Sequence, residues 1–215
     1  MPSSKVPAVK WSLVRETQTP AVLTKNELTR YWDLFTPNMD GVVAKRILVQ
    51  GPAGIGKTTF TRKLAYDWAT EIASEETADK QAAVLGNFEL LITVNLKDVS
   101  NFQSLQDVIN HANIFADEDK FLTEGLLHYI TYHQERVLFV FDGYDEYRCR
   151  CDSEVYEIFR KGKFRNCCVL LTSRMSEADE LREFNDLLVE VRRCFIDLGR
   201  VVQSWVKITQ GKCEI

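Results

Sequence analysis

The sequence predicts a three-layer α/β fold with a mostly parallel central sheet, on three observations. From Arg46 onward, short apolar runs alternate with segments of helical period, the pattern of strands joined by crossover helices. Two of those runs, residues 137–141 (VLFVF) and 167–171 (CCVLL), are apolar at every position, as strands covered on both faces are. A glycine-rich turn at 51–56 falls between an apolar run and a helical segment, where an α/β sheet presents its ligand-binding end.

Each element follows from its pattern. Residues 47–50 (ILVQ) read as a strand, and Phe60, Leu64, Ala65 and Trp68 space one buried face along a helix over 57–70. Residues 88–96 form the next strand. Leu105, Val108, Ile109 and Ala112 mark a helix that Ser104 and Asp107 cap, and another helix spans 119–132. The strands at 137–141 and 167–172 follow. Ser176 and Asp179 predict a capped helix running to about Leu187, and 188–191 a short strand. Ahead of all this, Pro2, Pro7, Pro20 and Pro37 discourage long helices, so residues 1–40 read as a lead-in and linker with one amphipathic helix over 25–35. The expected organisation is a lead-in at 1–40, the α/β domain at 41–195 and a further segment at 196–215.

Composition removes several classes of function. The 215 residues carry 27 Lys and Arg against 31 Asp and Glu, a net charge of −4. A mildly acidic chain lacks the broad basic surface on which phosphate-backbone binding rests, so nucleic acid is not an expected partner. The longest apolar runs are five residues, far below the roughly 20 of a membrane span. Lys5 and Lys10 interrupt the first residues, which do not read as a secretory signal. The expected location is therefore cytoplasmic, with the six cysteines as thiols. Cys149 with Cys151, and Cys167 with Cys168, lack the spacing of a zinc site.

The chemistry is concentrated in three places. Gly51, Pro52, Ala53, Gly54, Ile55, Gly56, Lys57 and Thr58 fit G-x-x-x-x-G-K-[ST] in full, and Thr59 follows. Backbone N–H groups of such a loop cradle phosphates at a helix N-terminus, Lys57 places its ammonium on the β- and γ-phosphates, and Thr58 offers its hydroxyl to Mg²⁺. The fold is then the three-layer P-loop NTPase fold. A second strand ends in Asp142, which would complete the Mg²⁺ shell. Beyond it Asp145 and Glu146 offer a carboxylate to the attacking water, and spacing does not choose between them. A third strand delivers Arg174 to its carboxyl end, placed to read the γ-phosphate.

Together these residues resemble the NACHT nucleoside triphosphatases, a family of signal-transduction ATPases that includes the NOD-like receptors. The resemblance rests on residues 46–59 (RILVQGPAGIGKTT), 138–146 (LFVFDGYDE, with D-G-x-D-E), 95–98 (NLKD) and 171–174 (LTSR), and covers about residues 30–191. It implies ATP and ADP binding with Mg²⁺, slow hydrolysis, and a switch between a closed ADP form and an open ATP form that oligomerises with itself or with related NACHT proteins. It also implies roles for Lys57, Thr58 and Asp142 at phosphate and metal, for Asp145 or Glu146 at the water, and for Arg174 as phosphate sensor. Many relatives signal in innate immunity or cell death. Met175 departs from the family, which has a proline after the arginine. The resemblance makes 41–195 the nucleotide-binding domain and 196–215 the truncated start of the family's helical lid, which only 196–209 could begin, and His111, His128 and His133 lie upstream of the place of the family's nucleotide-contacting histidine. Weaker nucleotide retention and an incomplete switch are therefore expected. Rival readings are a P-loop kinase, opposed by the single Arg182 in the acidic stretch 175–188, and a GTPase, whose D-x-x-G and N-K-x-D motifs are absent. A non-catalytic interaction module or decoy that binds related receptors is the alternative from another class.

Overall fold

The computed structural model describes residues 9–19, 22–28, 31–38, 40–73, 84–111 and 120–196. Within these residues seven strands form one sheet: β1 (Val9–Thr19), β2 (Val22–Leu28), β3 (Arg46–Gln50), β4 (Leu90–Asn95), β5 (Val137–Asp142), β6 (Cys168–Ser173) and β7 (Leu187–Ile196). Their spatial order is β2-β1-β7-β3-β6-β5-β4. From β7 to β4 every pairing is parallel, whereas β1 runs antiparallel to both β7 and β2. Among the described residues the strands are connected by helices α1 (Lys57–Ala73), α2 (Leu105–His111), α3 (Lys120–Tyr132) and α4 (Glu154–Phe159).

Strand alternation divides the core in two. Val137, Phe139 and Phe141 of β5, with Val169 and Leu171 of β6, pack on the face covered by Leu105, Val108 and Ile109 of α2, Ile130 of α3 and Val155, Ile158 and Phe159 of α4. The intervening Leu138, Val140, Cys168 and Leu170 face Phe60 and Leu64 of α1 and the 3-10 turn Tyr31–Phe35. This is the three-layer α/β P-loop NTPase fold. A strand buried on both faces loses its period-2 polarity, which is why these segments are uniformly apolar. Full burial of Phe60 and Leu64 contributes about 1.5–3 kcal/mol each.

Two polar ties fix the layers. Trp68 Nε1 donates to the Phe88 carbonyl (2.8 Å), holding α1 to the approach of β4. The buried Asp67 carboxylate takes hydrogen bonds from Tyr31 and Lys63. At the amino end of the sheet, Arg46 is fully buried and donates to five main-chain carbonyls: Ile158 and Phe159 (2.9 Å each), Lys45 (3.0 Å), Cys167 (2.6 Å) and Phe164 (3.1 Å). One guanidinium thus ties β3 to the end of α4 and the approach to β6.

The structure departs from expectation at two ends. Residues 25–28 belong to β2, and 31–35 form only a 3-10 turn, so no helix spans 25–35. Much of the expected lead-in is instead a hairpin added to β7. The physical reason is an available edge: β7 presents unpaired backbone groups that β1 satisfies, a stronger claim on 9–28 than local helical period. The helix expected from Ser176 to about Leu187 is likewise absent, with a 3-10 turn at Asp179–Leu181 in its place. Asp186 holds the chain there. Its Oδ2 accepts from the amides of Lys45 and Arg46 (2.9 Å each), which draws 182–187 out along the sheet end before a helix can propagate. Strand β7 then runs to Ile196, past the expected end at 191. The lid expected from Ile196 onward lies, beyond that residue, outside the described residues.

Candidate functional site

The glycine loop joins the carboxyl end of β3 to the start of α1. Strands β6 and β7 flank β3, so the chain leaves β3 toward one side of the sheet and returns at its end to the other. Such a reversal opens a crevice at the carboxyl ends of the strands. Gly54 (φ +73°) and Gly56 (φ +101°) take left-handed backbone that residues with a side chain rarely adopt, which shapes the loop. Gly56 O accepts from Phe60 N (2.9 Å), so α1 grows directly out of the loop. Gly51 N donates to Ser173 O (3.3 Å), anchoring the loop's first residue to β6.

Lys57 Nζ donates to the carbonyls of Gly51 (2.8 Å) and Pro52 (3.1 Å), so the ammonium curls over the loop that it would share with a phosphate. Burial lowers its pKa below the usual lysine value. Asp145 opposes that pull, Arg174 adds to it, and Asp142 and Glu146 oppose it more weakly. All four expected charged partners therefore lie within electrostatic reach of Lys57. Pro52, Ala53, Gly54, Thr58 and Thr59 are exposed, Ile55 and Gly56 half-buried, and Gly51 buried.

The register of the sheet aligns the rest. Asn95 pairs with Asp142 across β4 and β5, and Gln50 with Ser173 across β3 and β6, so the polar ends of neighbouring strands fall level. Asp142 is 8% exposed, and its Oδ1 accepts from the Thr172 hydroxyl (2.6 Å). The same Thr172 oxygen accepts from Gly143 N (2.8 Å). Gly143, at φ +84°, then turns the chain into the 3-10 turn Tyr144–Glu146. This separates two carboxylates that spacing left equal. Asp145 is 7% exposed and pairs with Arg174 Nε (2.7 Å), while Glu146 is 40% exposed and pairs with Lys97 (3.0 Å).

Thr172 and Lys97 are site residues to which sequence reasoning assigned no role. Their signal was position: a hydroxyl closing an otherwise apolar strand, and a lysine just beyond the neighbouring strand end. Arg182 is a third, donating from Nη2 to Oε1 of the buried Gln50 (3.4 Å). Among the described residues no three His, Cys, Asp or Glu side chains gather as a metal cluster. Mg²⁺ needs no such cluster, since it keeps waters and takes one or two protein oxygens beside the substrate's phosphates. Thr58 and Asp142 offer hard oxygen donors of that kind. Among the described residues no helix is long and apolar enough to cross a membrane.

Over 152 residues the chain is 26% identical to an NLR family CARD domain-containing protein 4 of Xenopus tropicalis, covering 70% of this chain and 14% of that protein. It is 23% identical over 160 residues to baculoviral IAP repeat-containing protein 1 of Homo sapiens (74% and 10%), and 29% identical over 143 residues to NACHT, LRR and PYD domains-containing protein 10 of Mus musculus (66% and 19%). The chain thus spans less than a fifth of the length of each of these relatives. The NACHT domain model matches residues 45–193, from the strand that precedes the glycine loop to the strand that closes the parallel sheet, and the chain belongs to the NACHT domain family.

Proposed function

We propose that this chain binds ATP and ADP with Mg²⁺ and acts as the nucleotide-dependent switch of a cytoplasmic signalling protein in innate immunity or cell death. The observation that carries the reading is the gathering of Lys57, Asp142, Asp145, Glu146 and Arg174 at adjacent strand ends beside the glycine loop. Membership of the NACHT family and relatives named for NLR, CARD and PYD architecture support the signalling part. The nucleotide-binding unit is residues 41–195, and the ATP form oligomerises with itself or with related NACHT proteins.

The residues divide the work. Amides of the loop and of the start of α1 receive the phosphates. Lys57 exchanges the Gly51 and Pro52 carbonyls for phosphate oxygens, and Thr58 with Asp142 would hold the metal. Mg²⁺, when bound, neutralises charge on the phosphate oxygens. Arg174 exchanges Asp145 for the terminal phosphate, so only a triphosphate competes for it. Glu146, the more exposed carboxylate, orients water for slow hydrolysis, and Asp145 keeps Arg174 in place until a γ-phosphate arrives.

The test is equilibrium binding of fluorescent ATP, ADP and GTP, with Mg²⁺, to wild type and Lys57→Ala. Adenine nucleotides are expected to bind in preference to GTP. Lys57→Ala is expected to weaken them about 10- to 100-fold, the loss of a charge-assisted phosphate contact. A folded wild type that binds no nucleotide, or a variant that binds as tightly, would overturn the reading.

A further inference from the structure

We propose that Thr172 is a positioning residue for Mg²⁺: its hydroxyl sets the orientation of the Asp142 carboxylate and, through Gly143, the register of the turn that carries Asp145 and Glu146. The inference rests on the nucleotide reading above and names a residue that the phosphate-loop logic does not reach.

Thr172 is fully buried, and its hydroxyl has one proton to give. Gly143 N–H can only donate, so the 2.8 Å contact consumes an acceptor site on Thr172 Oγ1. The proton therefore goes to Asp142 Oδ1 at 2.6 Å, in the short range typical of a hydroxyl bonded to a carboxylate. Among the described residues Oδ2 takes no hydrogen bond, so one carboxylate oxygen is committed to the protein and the other is left for a ligand. The carboxylate cannot rotate about its own axis without breaking the Thr172 bond.

A valine in this place would fill the same volume. The neighbouring positions on that side of the sheet, Leu170 and Val140, are apolar, and β6 is paired along its length with β3 on one side and with β5 on the other. Sheet packing therefore asks for nothing polar at 172. What the hydroxyl adds is a link between two strand ends, with one bond to the aspartate proposed to face the metal and one to Gly143, which leads into the acidic turn. Residues that orient a metal ligand in this way commonly change metal affinity about 10- to 100-fold when replaced.

The experiment titrates Mg²⁺ against a fixed concentration of fluorescent ATP, with Mn²⁺ relaxation enhancement as a direct readout of the metal that needs no turnover. Thr172→Val is expected to raise the half-saturating Mg²⁺ concentration about 10-fold or more, to leave metal-free nucleotide binding within about 2-fold of wild type, and to be reversed by Thr172→Ser. Thr172→Ala carries the same expectation with less bulk, should the valine variant fail to fold. Unchanged Mg²⁺ dependence in the variants, or equal loss of binding with and without metal, would overturn the inference while the nucleotide reading stands. A wild type that binds no nucleotide would remove both.

Discussion

Cys167 and Cys168 show burial outweighing charge at single side chains. Arg46 and Lys45 lie near enough to favour the thiolates, yet burial pushes both thiols up to about 12. Thiolate is the nucleophile, so neither reacts at neutral pH in the folded chain. Treatment with iodoacetamide at pH 8 is expected to label the exposed Cys151 quickly and to label Cys167 and Cys168 only after denaturant, read by peptide mass spectrometry. The unfolded thiols lose protons near 9, so above that value the folded chain holds more protons and stability falls as pH rises toward 12. Rapid labelling of 167 and 168 in the native state would contradict the assignment. The candidate site was legible at the same scale where a residue type has one use in its pattern: Lys57, Thr58, Asp142 and Arg174 were named from the chain alone. Asp145 and Glu146 were not told apart, because adjacent carboxylates differ only in their surroundings, and those come from Arg174 and Lys97 on other strand ends.

Elements were legible in proportion to how completely they are buried. Strands β3, β5 and β6 are buried at every position, and between their polar ends they are apolar on both faces because the layers on either side cover them, a pattern readable in the sequence. The hairpin β1–β2 was not seen: its residues are of mixed polarity, and a two-residue connection beginning at Pro20 looked like the punctuation of a linker. What holds it is a pairing with β7, more than 150 residues away, which no local pattern encodes. The 176–187 segment failed for a related reason, its path being set by Asp186 bonding to amides of Lys45 and Arg46. Arg46 is the clearest junction between elements. Arg46→Leu strips five carbonyls of a shared donor and is expected to cost about 3 kcal/mol or more. Arg46→Lys is expected to recover little, since an ammonium has three donors on one atom and cannot span carbonyls from three segments. Urea unfolding checks both, and a lysine variant with a wild-type midpoint would refute the junction role.

Over the whole molecule, the sheet separates two tasks. Its amino end is locked by Arg46 and Asp186, while its carboxyl end gathers Lys57, Asp142, Asp145 and Arg174 in a crevice, the residues proposed to exchange partners when nucleotide binds. The net charge of −4 is no obstacle to an anionic ligand here, because Lys57 and Arg174 are both drawn to that one crevice. The hairpin bears on the molecule in another way. By pairing with β7 it makes an interior strand of one that would otherwise end the sheet, beside the strand that carries the glycine loop. Without residues 1–28, the long strand Leu187–Ile196 would bare a row of amides and carbonyls suited to template a foreign strand. Without nucleotide, a chain shortened in that way is expected to self-associate with rising concentration in sedimentation velocity, where the 215-residue chain does not, and a monodisperse shortened chain would show that β7 protects its own edge. The hairpin is in this sense a guard for solubility, and the boundary at which such a domain is cut decides whether it remains a solution protein or becomes a seed for aggregation.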